Sequence, residues 1–153
     1  MGKFASLVDT PEGREAFKAK YNIPTTVEIE HCHLGEWHTK MPSGAVVIPI
    51  IAFIEDGMQI PMGKVTREFL IFYRLCLTQC SPNIFRILSS VDMLNCKIGV
   101  KFTHHDVNWV YNCQNSRETG YYFKIRVPSV KLISYLPESN KGMDKNFLIV
   151  SGK

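Results

Sequence analysis

Ser81-Pro82-Asn83-Ile84-Phe85-Arg86-Ile87-Leu88-Ser89-Ser90-Val91-Asp92-Met93-Leu94-Asn95-Cys96-Lys97-Ile98-Gly99 is the stretch that decides the fold class. Serine before proline is a helix start, because Ser offers a capping oxygen and Pro already has the φ that a first helical residue needs. Ile84, Ile87, Leu88, Val91, Leu94 and Ile98 then recur at spacings of three and four, and Gly99 stops the helix. A stripe that continuous has to lie on other elements. Upstream, Lys64 to Thr78 reads as a second helix, with Arg67, Arg74 and Thr78 on one face and Val65, Phe69, Leu70, Phe72, Tyr73 and Leu77 over most of the rest. Its apolar face is broad enough to be central in a core or to face a partner. Downstream, Thr103-His104-His105-Asp106 is a capping box that opens a short helix to about Gln114, with Val107, Val110 and Tyr111 inward.

Strand signals flank these helices. Val27 to Glu30 alternates, as do Phe123, Ile125 and Val127 against Lys124 and Arg126 within Tyr121 to Val127. Val130 to Leu136 and Asn146 to Val150 are further strand candidates, separated by the turn-rich Pro137 to Asp144. Ala45 to Ile54 and Met58 to Met62 are apolar runs joined by Glu55-Asp56-Gly57, which predicts a hairpin, and Pro49 and Pro61 push its strands toward a sheet edge. At the N-terminus, Thr10-Pro11-Glu12 starts a helix to about Lys20, weakened by Gly13. The order predicts a single α+β domain, a three-helix core with a flanking β-hairpin and C-terminal strands.

With 153 residues and 45% hydrophobic content, the chain is long and apolar enough to bury a core. The longest uncharged apolar run, Ala45 to Ile54, is about half the ~20 residues of a membrane helix. Neither a spanning segment nor a secretory signal is expected, and five cysteines, an odd number, fit a reducing intracellular compartment, nuclear or cytoplasmic. Charge is uneven: residues 96–153 carry nine basic and four acidic side chains, whereas residues 1–95 carry nine and ten. The basic half is either a solvated surface or a phosphate-facing one.

His31, Cys32, His33 and His38 form the densest set of metal-ligand types, but their spacing fits no zinc finger or knuckle, and His31 and His33 on one side of a strand would leave Cys32 on the other. An ordinary polar loop is the simpler reading. Cys76 and Cys80, one helical turn apart amid Phe72, Tyr73 and Leu77, read as small core residues. Two-metal nuclease chemistry needs converging carboxylates. Asp56, Asp92 and Asp106 instead sit in a predicted turn, on a polar helix face and at a cap. No glycine-rich phosphate loop or nucleophile motif occurs, so the sequence reads as a non-enzyme with no cofactor or metal.

Four phrases occur in order: Gly57-Met58-Gln59-Ile60-Pro61, Gln79-Cys80-Ser81-Pro82-Asn83-Ile84-Phe85-Arg86, Leu136-Pro137-Glu138-Ser139-Asn140-Lys141-Gly142 and Phe147-Leu148-Ile149-Val150-Ser151-Gly152. Together they resemble the gypsy-type transposon domain of plant retroelement-derived proteins, over about residues 21–152. Phe85 and Met143 replace tryptophans usual in that family, keeping a large apolar group. The resemblance implies no catalytic activity. It implies a non-catalytic, Gag-like interaction or assembly module whose partner is a protein, either another copy or the rest of a longer chain of which these residues are a fragment.

The alternative is nucleic-acid binding. Three helices followed by a two-stranded β element is the order of a winged helix, in which His104, His105 and Asn108 would face the groove and Lys124, Arg126 and Lys131 the phosphates of DNA or RNA. Against that, Thr103 and Asp106 would simply cap the helix and Trp109 pack inward. Asn140-Lys141-Gly142 is either an interaction loop or a turn that needs glycine at positive φ.

Overall fold

In the computed structural model, residues 4–33, 36, 41–117, 120–133 and 146–152 are described. The first helix, α1 (Pro11–Lys20), begins as its sequence predicts, with Gly13 N–H donating to Thr10 Oγ1 at 3.0 Å. Strand β1 (Val27–His33) follows, then the short β2 (Val46–Pro49). The chain next enters α2 (Ile50–Ile54), a turn of helix with Ile50, Ile51, Ala52 and Phe53 all buried. The predicted hairpin through Glu55-Asp56-Gly57 does not form, and Met58 to Met62 lies in no strand. A continuous apolar run does not distinguish a buried strand from a helix buried on every side. Here the chain turns back onto α2, with Met58 N–H donating to Ala52 O at 2.9 Å and the Asp56 carboxylate drawn inward to Arg86.

Helix α3 (Lys64–Tyr73) ends one turn earlier than its apolar pattern suggests. Arg74 takes a left-handed φ of 53°, and Leu75 N–H reaches back to Leu70 O at 2.9 Å, a Schellman closure. A 3-10 turn (Leu77–Gln79) then leads into α4 (Pro82–Ile98), which runs between its expected bounds and ends at Gly99 with φ 74°. Ser81 stands at the N-cap position without a side-chain cap bond; its N–H donates instead to Tyr121 O at 2.8 Å. Ile84, Ile87, Leu88 and Val91 are buried, whereas Leu94 is half-buried and Ile98 exposed, so the last turn of α4 leaves the core.

Helix α5 (His104–Val110) has its capping box, Asp106 Oδ2 accepting from Thr103 N–H at 2.7 Å. It stops four residues short of the predicted Gln114, because Tyr111 turns extended and begins β3 (Tyr111–Ser116). β3 pairs antiparallel with β4 (Gly120–Ile125), Tyr111 opposite Ile125. Phe123 then stacks on Tyr111 at 5.3 Å and meets Phe69 edge-on at 5.1 Å, which seats the hairpin on α3. Residues 130–133 form no strand, and the remainder of the predicted Val130 to Leu136 strand lies outside the described residues.

The last strand, β5 (Asn146–Gly152), is the middle of a three-stranded sheet ordered β1-β5-β2 and is antiparallel to both neighbours. Val27, Ile29, Ile48 and Leu148 join the helices in the main core with Val65, Phe69 and Leu88, while Cys32, Phe147 and Ile149 form a second buried cluster. The architecture is α+β. Among the described residues no helix is long and apolar enough to cross a membrane.

Candidate functional site

Helix α5 lies beside α3 and runs in the same sense. His104 Nδ1 stands 3.3 Å from Glu68 Oε2, and Tyr73 OH donates to Asn108 Oδ1 at 2.7 Å one turn further along both helices. Burial holds the Tyr73 hydroxyl above its ordinary pKa, so it stays a proton donor. Between these two pins the Phe72 ring lies 5.2 Å from His104 and 5.9 Å from His105, and the two imidazoles lie 4.0 Å apart, tilted by 38°. Val107 and Val110 bury the inner side of α5. Spacing of four then puts Trp109 on the His105 side of the helix.

The outcome is an apolar and aromatic surface open to solvent. Trp109 is 83% exposed, Ile71 76% and Phe72 55%. Trp109, expected to pack inward in the capping reading of α5, does not. On α3, Arg67, Ile71 and Arg74 succeed one another along a single stripe of the helix. Lys64 pairs with Glu68 at 3.7 Å, but no carboxylate among the described residues meets Arg67 or Arg74.

The residues proposed for a nucleic-acid surface are placed unevenly. His105 is exposed, whereas His104 is tied to Glu68 and Asn108 to Tyr73. Arg126 serves the fold: its Nε donates to Asn108 O at 2.7 Å and to Tyr111 O at 3.3 Å, closing the carbonyl end of α5. Lys124 and Lys131 are exposed, and among the described residues no hydrogen bond or ion pair holds them. Asn140, Lys141 and Gly142 lie outside the described residues, as does His38.

Asp56, Asp92 and Asp106 do not converge on a metal site and have separate internal duties. Asp92 reaches from α4 to cap α3, accepting from Val65 N–H at 2.8 Å, Thr66 N–H at 3.1 Å and Thr66 Oγ1 at 2.6 Å. Gly63 permits this, since a Cβ there would run into the Asp92 carboxyl group. Asp106 caps its own helix. Asp56 has no side-chain exposure and lies 2.7 Å from Arg86 Nε, which also places Nη2 3.3 Å from Glu55. The Asp56 contact is a close ion pair, and among the described residues no hydrogen bond of good geometry reaches either carboxylate oxygen. Burial, opposed by Arg86 and assisted by Glu55, pushes its carboxyl pKa up to about 7.

His31 and His33 share one side of β1, rings 4.6 Å apart, with Cys32 wholly buried on the other. His31 is held by Asp9 at 2.8 Å and Asn146 at 2.9 Å. Cys76 and Cys80 do not share a helix face, because α3 ends before them: Cys76 is exposed and Cys80 buried, its thiol pushed up to about 12 chiefly by burial. Among the described residues no group of three or more His, Cys, Asp or Glu is placed to hold a metal ion. The chain matches no family model, no curated protein and no solved structure.

Proposed function

We propose that this chain is a non-catalytic protein-docking module that presents the α3–α5 surface to a partner. One observation carries the reading: Ile71, Phe72 and Trp109 stand open to solvent on adjoining helices whose other faces bury Phe69, Val107 and Val110. Tryptophan and arginine are the side chains that most often dominate binding energy at interfaces, and both are present on this surface. The resemblance to the gypsy-type transposon domain of plant proteins supports the same reading, since it brings an interaction role and no chemistry. The test is capture by the immobilised chain from a plant extract, compared with a Phe72→Ser, Trp109→Ser double variant. Both side chains lie outside the core, so the variant keeps its melting temperature. Proteins held by the parent and lost with the variant are the expected result; identical capture by both overturns the reading.

Nucleic-acid binding is the second reading, favoured by the order α3-α4-α5-β3-β4, three helices and then a hairpin. Its groove-facing residues would be His105 with His104 and Asn108, and its phosphate contacts Lys124, Arg126 and Lys131. The existing bonds of His104, Asn108 and Arg126 count against it. Phosphate contacts make binding fall steeply with salt, so an oligonucleotide affinity that is absent, or flat between low and moderate salt, removes this reading.

A further inference from the structure

Next to the docking surface, the start of α3, the last two turns of α4 and the loop before α5 enclose an open groove of about 870 Å³. Its apolar lining includes Met93 and Phe102, both exposed, and its rim carries Lys64, Lys97 and Lys101. Lys64 also begins the α3 stripe that continues through Arg67, Ile71 and Arg74, so groove and docking surface adjoin. The two charge signs are treated differently across this region. Glu68 is engaged by Lys64 and His104, Asp92 by the α3 amides and Thr66, and Asp106 by Thr103. Arg67, Arg74, Lys97 and Lys101 meet no carboxylate among the described residues. The surface therefore has its carboxylates engaged internally and, Lys64 apart, its cations left over among the described residues.

The left-handed residue that closes a helix is ordinarily Gly or Asn, because a Cβ is unfavourable there. Arg74 in that conformation, its guanidinium meeting no partner among the described residues, is strained locally without a contact there to offset it.

We infer that the partner is an acidic amphipathic segment, its apolar side chains lying on Ile71, Phe72, Trp109 and the Met93–Phe102 groove and its carboxylates facing the unpaired arginines and lysines. This rests on the docking function proposed above and specifies the chemistry of the partner. A second copy docked through this same surface is disfavoured, because it would bring the same uncompensated cations against one another. A polynucleotide would suit the cations but not Ile71 and Met93, which are aliphatic and offer no stacking plane to a base.

The test is a display selection of random sixteen-residue peptides on the immobilised chain. Enriched peptides are expected to be net acidic, with apolar residues three and four apart, and to lose affinity by about tenfold or more on Trp109→Ala and on the Arg67→Glu, Arg74→Glu pair. Arg74→Gly is the variant that separates binding from folding: it raises the melting temperature while weakening the selected peptides. Neutral or basic peptides that still need Trp109 overturn the acidic partner and leave the docking surface standing. Peptides indifferent to Phe72 and Trp109, or no enrichment at all, overturn both. Tighter binding of a twenty-nucleotide single strand through the same arginines, or self-association lost with them in light scattering, assigns the surface to nucleic acid or to a second copy and overturns the inference.

Discussion

At Asp56 a carboxyl group withdrawn from solvent faces the Arg86 guanidinium at 2.7 Å, and its pKa lies near 7 in the fold against 3.8 for the free side chain. Between those values the folded chain keeps a proton that the unfolded chain has released, so this site makes stability fall as pH rises from about 4 to about 7. Asp56→Asn keeps the shape and is expected to remove that decline, read as denaturation midpoints across the interval. Arg86→Ala strands the carboxylate, at a cost of about 3–5 kcal/mol at pH 8 that shrinks below pH 7 as the group takes up its proton. Asp92 makes the complementary case. Asp92→Ala exposes two α3 amides and leaves the buried Thr66 hydroxyl without its acceptor, an expected loss of about 2 kcal/mol in thermal unfolding. The sequence shows Asp92 on the polar side of its own helix. What it does is set by Gly63, 29 positions earlier, and no local periodicity reports a contact of that range.

Among the elements, α4 was legible end to end because its signals agree: proline at the start, a stripe of period 3.6, glycine at the stop. Leu88 is wholly buried at the middle of that stripe, and Leu88→Ala is expected to cost about 2–5 kcal/mol, read as a lowered melting temperature. Where signals conflicted, the tertiary structure decided. Ala45 to Ile54 has the composition of a strand, and its first half is one, but Ile50, Ile51, Ala52 and Phe53 are all buried and gain the backbone bonds of a helix. Apolar periodicity carries α3 through Leu77, yet a Schellman closure at Arg74 ends it. Arg74→Gly relieves the Cβ there and is expected to stabilise the chain by roughly 0.5–1 kcal/mol. The exposure of Trp109 and Ile71 was hidden for a related reason: hydrophobicity alone does not say whether a side chain points into its own core or out toward another molecule.

Across the whole molecule, the chain is closed by its most distant segments. β5 inserts between β1 and β2 with Val27 opposite Gly152 and Val46 opposite Val150, so neither N-terminal strand has a sheet partner among the described residues until the end of the sequence arrives. Phe147, Leu148 and Ile149 are buried on alternating faces, which is why β5 reads as an unbroken apolar run and not as an alternation. Pairings of this range close a long loop before they return any stabilisation, so the helices and the β3–β4 hairpin, whose contacts are more local, are expected to form ahead of the sheet. A chain truncated after Ile133 tests this dependence. Without Leu148 the main core loses a wholly buried leucine, and without β5 the edges of β1 and β2 stand open, so the truncated chain is expected to keep helical circular dichroism but lose its cooperative melt. A sharp transition retained near the parent's temperature would mean that α3, α4, α5 and the hairpin form an independent folding unit. The docking surface, built entirely from α3, α4, α5 and the loop before α5, would then need no sheet behind it.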